Sequence, residues 1–102
     1  MAEAYVALLL VYLHFPEAGS LKAKRKDLAS VKALLHGRMG VAVAEVDHHD
    51  LWQRSTLAVA LTSGSLAVLE READRVERFL LERFPESCRV ERTLASFDEV
   101  SG

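Results

Sequence analysis

The sequence lacks the features that would indicate a disulfide scaffold, a structural zinc site or a membrane span. One cysteine, Cys88, occurs among 102 residues, so no intramolecular disulfide can form and no thiol pair is present to hold zinc. The apolar run over residues 6–13 is far shorter than the roughly 20 residues that a transmembrane helix needs. The start, Met1-Ala2-Glu3-Ala4, has no basic region of the kind that begins a signal peptide. We therefore expect a soluble protein of the reducing cytoplasm.

Familiar catalytic and cofactor-binding motifs are also lacking. The chain has no G-x-S-x-G segment, no phosphate-binding glycine loop and no dinucleotide fingerprint. Cys88 has basic Arg89 beside it but no histidine near it in sequence, so we interpret it as a structural side chain rather than a nucleophile. These absences predict a protein without catalytic residues, cofactor or metal.

The composition is that of one globular domain, and half of the residues are hydrophobic. A chain of this size can bury about 60–65% of its unfolded surface, so we treat residues 1–102 as a single domain. The charge is unevenly distributed. The first forty residues contain six Lys and Arg and three Asp and Glu. The remaining residues contain seven Lys and Arg and twelve Asp and Glu. Such polarity can orient an anionic partner, although a net charge of −2 is not that of a strongly basic nucleic-acid binder.

Hydrophobic periodicity predicts four strands and two helices. The strands cover residues 5–15, 41–46, about 55–62 and 88–97, and the first is apolar enough to be covered on both faces. The helices follow Ser20 and Ser65, which stand at N-cap positions. They end near Gly37 and Phe84. Right-handed βα units in this order predict an α+β, ferredoxin-like βαββαβ fold: a four-stranded antiparallel sheet with two helices on one face.

One face of this sheet is left without helices. It would carry Ala58 and Ala60 beside one set from the first strand, either Tyr5, Ala7, Leu9 and Val11 or its alternate. Such a patch favours a homodimer formed through the open sheet face, or a nucleic-acid platform. The third strand has no aromatic residue on which a base could stack, and this weakens the platform interpretation.

The start of the first helix is unusually basic. Four cationic residues crowd its first turns: Lys22, Lys24, Arg25 and Lys26. The helix dipole already places about half a positive charge there. Free backbone N–H groups with added cations suit a phosphate or carboxylate. The alternative is an ordinary solvated surface whose side-chain stems cover the core.

The connection between the second and third strands holds most of the other suggestive polar residues. Its two histidines, His48 and His49, are adjacent and would point to opposite sides of an extended chain, so chelation of one metal is not indicated. Asp47 or Asp50 could form turn hydrogen bonds. Trp52 could be a lid over the core edge or part of a binding surface. Glu45 and Asp47 are i,i+2 residues, so we expect them to share one strand face. There they could form a paired-carboxylate acid/base site, although pairing with nearby Lys or Arg is the favoured interpretation.

Two segments resemble the YlxP-like family of small bacterial proteins. They are S-L-K-A-K-R at residues 20–25 and V-A-E-V-D-H-H-D-L-W-Q-R at residues 43–54. The likeness extends over nearly the whole chain and implies a ferredoxin-like fold. The family has no established enzymatic activity, and its genes commonly lie beside those for transcription elongation, translation initiation and ribosome maturation factors. The resemblance therefore implies a role near RNA or the ribosome.

These observations lead to three functional hypotheses. The first is a non-catalytic protein that binds RNA or a ribosomal subunit through Lys22, Lys24, Arg25 and Lys26, with His48, Trp52 and Arg54 extending the surface. The second is a dimeric module that binds an anionic metabolite at the same helix start. The third is an enzyme that uses Glu45, Asp47 and His48.

Overall fold

The computed structural model describes residues 2–102, and its elements follow the order βαββαβ with one short helix added at the end. The strands are β1 (Tyr5–His14), β2 (Ala42–Asp47), β3 (Arg54–Ser63) and β4 (Cys88–Ser96). The helices are α1 (Leu21–Met39), α2 (Leu66–Arg83) and α3 (Phe97–Ser101). The strands form one antiparallel sheet in the order β2-β3-β1-β4. This is the predicted α+β ferredoxin-like fold, with β1 and β3 in the centre.

The core lies between one sheet face and the two long helices. In β1, every second residue from Ala7 to Leu13 faces the helices and is buried: Ala7, Leu9, Val11 and Leu13. The matching β3 residues Leu57, Val59 and Leu61 are buried as well. Helix α2 contributes Leu69, Ala73, Val76 and Leu80, which recur at the three- and four-residue spacing of one helical face. Alternation in the strands and helical spacing in α2 therefore place apolar side chains in one shared core.

Both long helices begin at the predicted caps. The Ser20 hydroxyl accepts from the Ala23 backbone N–H at 3.1 Å, and the Ser65 hydroxyl accepts from that of Val68 at 3.3 Å. Helix α1 runs two residues past the predicted Gly37 to Met39, and Gly40 is its C-cap. Gly40 has φ 64°, a left-handed conformation that glycine adopts without steric cost.

The short helix α3 was not predicted from the sequence. The Ser96 hydroxyl accepts from the Glu99 backbone N–H, and the Glu99 carboxylate accepts from the Ser96 backbone N–H at 2.9 Å, which completes a capping box. Its apolar residues Phe97 and Val100 remain well exposed. No helix formed within residues 2–102 is both long enough and apolar enough to cross a bilayer.

The open sheet face carries the alternate set of β1 residues. Residues directly opposite each other in an antiparallel pair share a face. The register places Leu8 opposite Ala60, Leu10 opposite Ala58 and Tyr12 opposite Thr56. Leu8 is 48% exposed, so the expectation that both faces of β1 are covered is wrong for this chain. A homodimer through this face stays a prediction.

Candidate functional site

One end of the sheet gathers three loops. It holds the end of β1, the start of β3 and the start of β4, together with the start of α1. The Phe15 N–H donates to the Gln53 carbonyl at 2.8 Å, and the His14 N–H donates to the Ser87 carbonyl at 2.9 Å. These bonds tie the end of β1 to the β2–β3 loop (residues 48–53) and to the α2–β4 connection. We refer to this region as the loop end.

Lys24 is buried at the loop end, with no exposed surface. Its ammonium donates to three backbone carbonyls of the β2–β3 loop: His48 at 2.7 Å, His49 at 3.3 Å and Leu51 at 2.7 Å. Its Nζ also lies 3.4 Å from Oε2 of Glu45. A buried ammonium requires such partners, because transferring a charged group from water to the protein interior costs on the order of several kcal/mol unless hydrogen bonds and an opposite charge replace its hydration. The prediction that Lys24 contacts phosphate is therefore wrong; Lys24 fastens the β2–β3 loop to α1.

The β2–β3 loop takes a special backbone conformation around this ammonium. His48 has φ 62°, which lies in the left-handed region that non-glycine residues seldom adopt. The Leu51 N–H donates back to the His48 carbonyl at 3.3 Å. The turn thus directs carbonyl oxygens inward toward Lys24.

Glu45 completes the buried polar cluster. Its side chain is 11% exposed, and its Oε2 accepts from the Ser55 hydroxyl at 2.8 Å. Burial by itself raises the pKa of this carboxyl, but the Ser55 hydrogen bond and the Lys24 charge outweigh it and lower the pKa below its usual value. The stabilisation from this shift is present at neutral pH and is lost as the pH falls through the lowered pKa.

A β-bulge separates Glu45 from Asp47. Glu45 lies opposite Leu57 on the helix side, whereas Asp47 lies opposite Thr56 on the open side, with a register shift between them. The expectation that the two carboxylates share one face is therefore wrong. Asp47 Oδ1 instead accepts from the His48 backbone N–H at 2.7 Å, as part of the turn.

His48 covers a threonine on the open side. Its Nδ1 lies 2.9 Å from the Thr56 hydroxyl, and its Nε2 lies 3.9 Å from Asp47 Oδ2. The second distance is too long for a hydrogen bond, and Thr56 is only 4% exposed. The His48 ring is therefore oriented by Thr56 rather than by a carboxylate, and the Thr56 hydroxyl is shielded from solvent.

Cys88 is half-buried at the start of β4. Burial, and secondarily the negative charge of Glu77, raise its pKa to about 11. The thiol is therefore protonated at neutral pH and is a poor nucleophile.

The remaining residues predicted for the site are exposed or partly exposed. Lys22, Arg25 and Lys26 are exposed on the first turns of α1, where the first turn contains no acid. Trp52 is 48% exposed, so it is not buried in the core, and Arg54 next to the loop is exposed. The fastening by Lys24 brings the loop that carries Trp52 against the helix that carries Lys22 and Arg25. Within residues 2–102, no three His, Cys, Asp or Glu side chains are grouped to hold a metal ion.

Comparison with known proteins identifies the family. The sequence model of the family described as "Protein of unknown function (DUF503)" matches residues 6–93. The chain belongs to the DUF503 family. A curated relative, "Uncharacterized protein YlxP" of Bacillus subtilis (strain 168), is 36% identical over 78 residues, which are 76% of this chain and 80% of the relative. The resemblance to YlxP-like proteins is thereby confirmed.

Two solved structures resemble this DUF503 chain in fold. The de novo designed protein Foldit4 has a TM-score of 0.60 at 12% identity, covering 90% of this chain and 96% of the design. The VAO-type flavoprotein MtVAO713 from Myceliophthora thermophila C1 has a TM-score of 0.51 at 18% identity, covering 94% of this chain but 18% of the flavoprotein. At these identities the likeness describes the fold alone.

The two segments that carry the YlxP resemblance meet at the buried cluster. Lys24 comes from residues 20–25, while Glu45 and the three carbonyls come from residues 43–54. Ser55, which is 1% exposed and donates a hydrogen bond to Glu45, was not predicted as a site residue. Its position beside the alternating β3 pattern gave no distinguishing signal.

Proposed function

We propose that this chain is a non-catalytic RNA-binding protein that associates with the ribosome through the loop end. Lys22, Arg25 and Lys26 contact phosphates, and Trp52 and Arg54 extend the surface from the β2–β3 loop. Lys24 has a structural role in this proposal. The protein acts in the cytoplasm, where its single thiol stays reduced.

The observation that carries the proposal is the fastening of the β2–β3 loop to α1 by Lys24. This contact holds the loop that carries Trp52 against the helix that carries the exposed Lys22 and Arg25, although the two segments are far apart in sequence. Exposed cations beside free N–H groups at a helix start suit phosphate oxygens. The neighbouring genes of YlxP-like proteins favour RNA over other polyanions.

The absence of a chemical step in the proposal is supported by the geometry of the polar groups. Glu45 is engaged by Ser55 and Lys24, and the bulge turns Asp47 to the other face. His48 has no hydrogen-bonded carboxylate to orient it. General acid–base catalysis needs a donor and an acceptor placed toward one substrate.

A triple alanine variant at Lys22, Arg25 and Lys26 tests the proposal through salt dependence. Loss of about three phosphate contacts is expected to reduce the slope of log affinity against log salt by about 2 for single-stranded RNA. Fluorescence anisotropy with a labelled ribosomal RNA fragment, between low and moderate salt, measures both slopes.

The matched control is the triple alanine variant at Arg71, Arg75 and Arg78, which removes the same charge from exposed positions of α2. It should bind as the parent does. Equal loss in both variants would mean that overall charge, not the loop end, determines binding. If the parent bound no RNA, the proposal would be wrong, and a dimeric module for an anionic metabolite would be tested next through ligand-induced stabilisation.

A further inference from the structure

The open sheet face changes character along β1. Toward the start of β1 it is apolar, with Val6 near the exposed Phe97 and Val100 of α3 and the exposed Leu8 two residues further along the strand. Toward the loop end it becomes aromatic and cationic. His14 lies opposite Arg54 of β3, so their side chains occupy the same face.

Tyr12 and Arg89 form a stacked pair in this second region. The two residues are directly opposite in the β1–β4 register. The guanidinium carbon of Arg89 lies 4.0 Å from the centroid of the Tyr12 ring, within the range of a cation–π contact. Arg89 also binds Glu91 at 2.6 Å, and its side chain remains 65% exposed. Its guanidinium is therefore held over the ring while most of the side chain stays in contact with solvent.

The charges around this pair favour an anionic partner. Arg54 forms no salt bridge with any residue of the described part of the chain, and it is exposed. Among the strand residues of this face the acids are Glu91, which is bound to Arg89, and Asp47, which lies on the edge strand β2. Neither acid forms a salt bridge with Arg54.

We infer that the loop end of the open face binds single-stranded RNA, whose unpaired bases stack on the Arg89–Tyr12 pair while Arg54 and His14 meet its phosphates. Bases present their faces for stacking only when they are unpaired, and they stack on aromatic rings and on arginine guanidinium planes. This inference rests on the proposed function and names the class of RNA. Tyr12 of β1 supplies the strand aromatic that β3 lacks.

A second copy of the chain is the competing occupant. A second copy would bury the apolar part of this face around Leu8. If it also covered the loop end, it would remove the charged side chains of Arg54 and Arg89 from water. Since Glu91 is already bound within the same chain, this face offers few unbound acids to compensate those charges.

The test compares one labelled mixed-sequence 10-nucleotide RNA with the same sequence annealed to its complement. Fluorescence anisotropy measures binding to the parent, to Tyr12→Leu and to Arg89→Gln, with Arg78→Gln of α2 as the matched control. The parent is expected to favour the single strand. Each open-face variant should weaken it about 5- to 100-fold, and the control should not change it. Thermal unfolding confirms that the variants are folded, and light scattering gives the oligomeric state.

The outcomes separate this inference from the proposed function. If Tyr12→Leu and Arg89→Gln bind as the parent does while the Lys22, Arg25 and Lys26 variant loses RNA, the stacking inference is wrong and the proposed function stands. If the parent binds neither form of RNA, both are wrong. A parental dimer that Arg89→Gln or Tyr12→Leu dissociates would assign this face to a second copy and overturn the inference.

Discussion

Lys24→Met is expected to destabilise the fold by about 3–5 kcal/mol, the usual cost of breaking a buried ion pair by removing one partner. The substitution keeps a long apolar stem but leaves the carbonyls of His48, His49 and Leu51 without their shared donor. It also leaves the Glu45 carboxylate with less compensation. Urea unfolding followed by circular dichroism measures the loss.

Lys22→Met is the matched control, because it makes the same chemical change two residues away at an exposed position. Its effect should be within about 0.5 kcal/mol. The single tryptophan, Trp52, adds a local readout, since its fluorescence should change in Lys24→Met before global unfolding. If Lys24→Met does not fold, the double variant Lys24→Met/Glu45→Gln, which removes both charges, should recover part of the stability. Equal stability of Lys24→Met and the parent would show that Lys24 does not fasten the loop.

Leu9→Ala is expected to cost about 2–5 kcal/mol, whereas Leu8→Ala should cost about 1 kcal/mol or less. The two leucines are neighbours on β1 but point to opposite faces. Leu9 is fully buried under the helices, while Leu8 is 48% exposed on the open face. Chemical denaturation of both variants compares the free energies of unfolding directly.

This pair of variants also tests what covers the open face. In a monomer, Leu8→Ala removes a side chain that is already half exposed, so the free energy of unfolding should fall only slightly. If Leu8→Ala cost as much as Leu9→Ala, or if its effect grew with protein concentration, a second copy would be covering the apolar part of the open face around Leu8.

Most of the fold could be predicted because local signals agree with tertiary packing. In β3, alternation separates Leu57, Val59 and Leu61 from Thr56 and Ala58, and the register confirms this separation. The caps Ser20 and Ser65 mark the starts of both long helices. Helix α3 could also have been predicted, since Ser96 and Glu99 have the spacing of a capping box.

The burial of Lys24 could have been predicted from its position on α1, but its binding partners could not. Lys24 precedes Leu28 by four residues and Val31 by seven, and all three are buried on one face of α1. That spacing predicts burial. What the sequence cannot supply is the partner of such a lysine, because the three carbonyls converge only once the β2–β3 loop has turned at His48.

The face of Asp47 could not be predicted either. A two-residue spacing keeps side chains on one face only in a regular strand, and the bulge between Glu45 and Asp47 breaks this rule. No glycine marks the bulge in the sequence. The stacked pair on the open face depends on the β1–β4 register, which joins residues 77 positions apart.

Co-sedimentation with ribosomal subunits tests ribosome association through the loop end. The purified parent protein is added, at low and moderate salt, to a lysate of the organism that encodes it. The Lys22, Arg25 and Lys26 triple alanine variant and the α2 control variant are tested in parallel. We expect the parent and the α2 control to sediment with a subunit at low salt, moderate salt to weaken this association, and the triple variant to stay in the supernatant. If the triple variant sedimented to the same extent as the parent, or if the parent did not sediment under either condition, the proposed ribosome association through the loop end would be wrong.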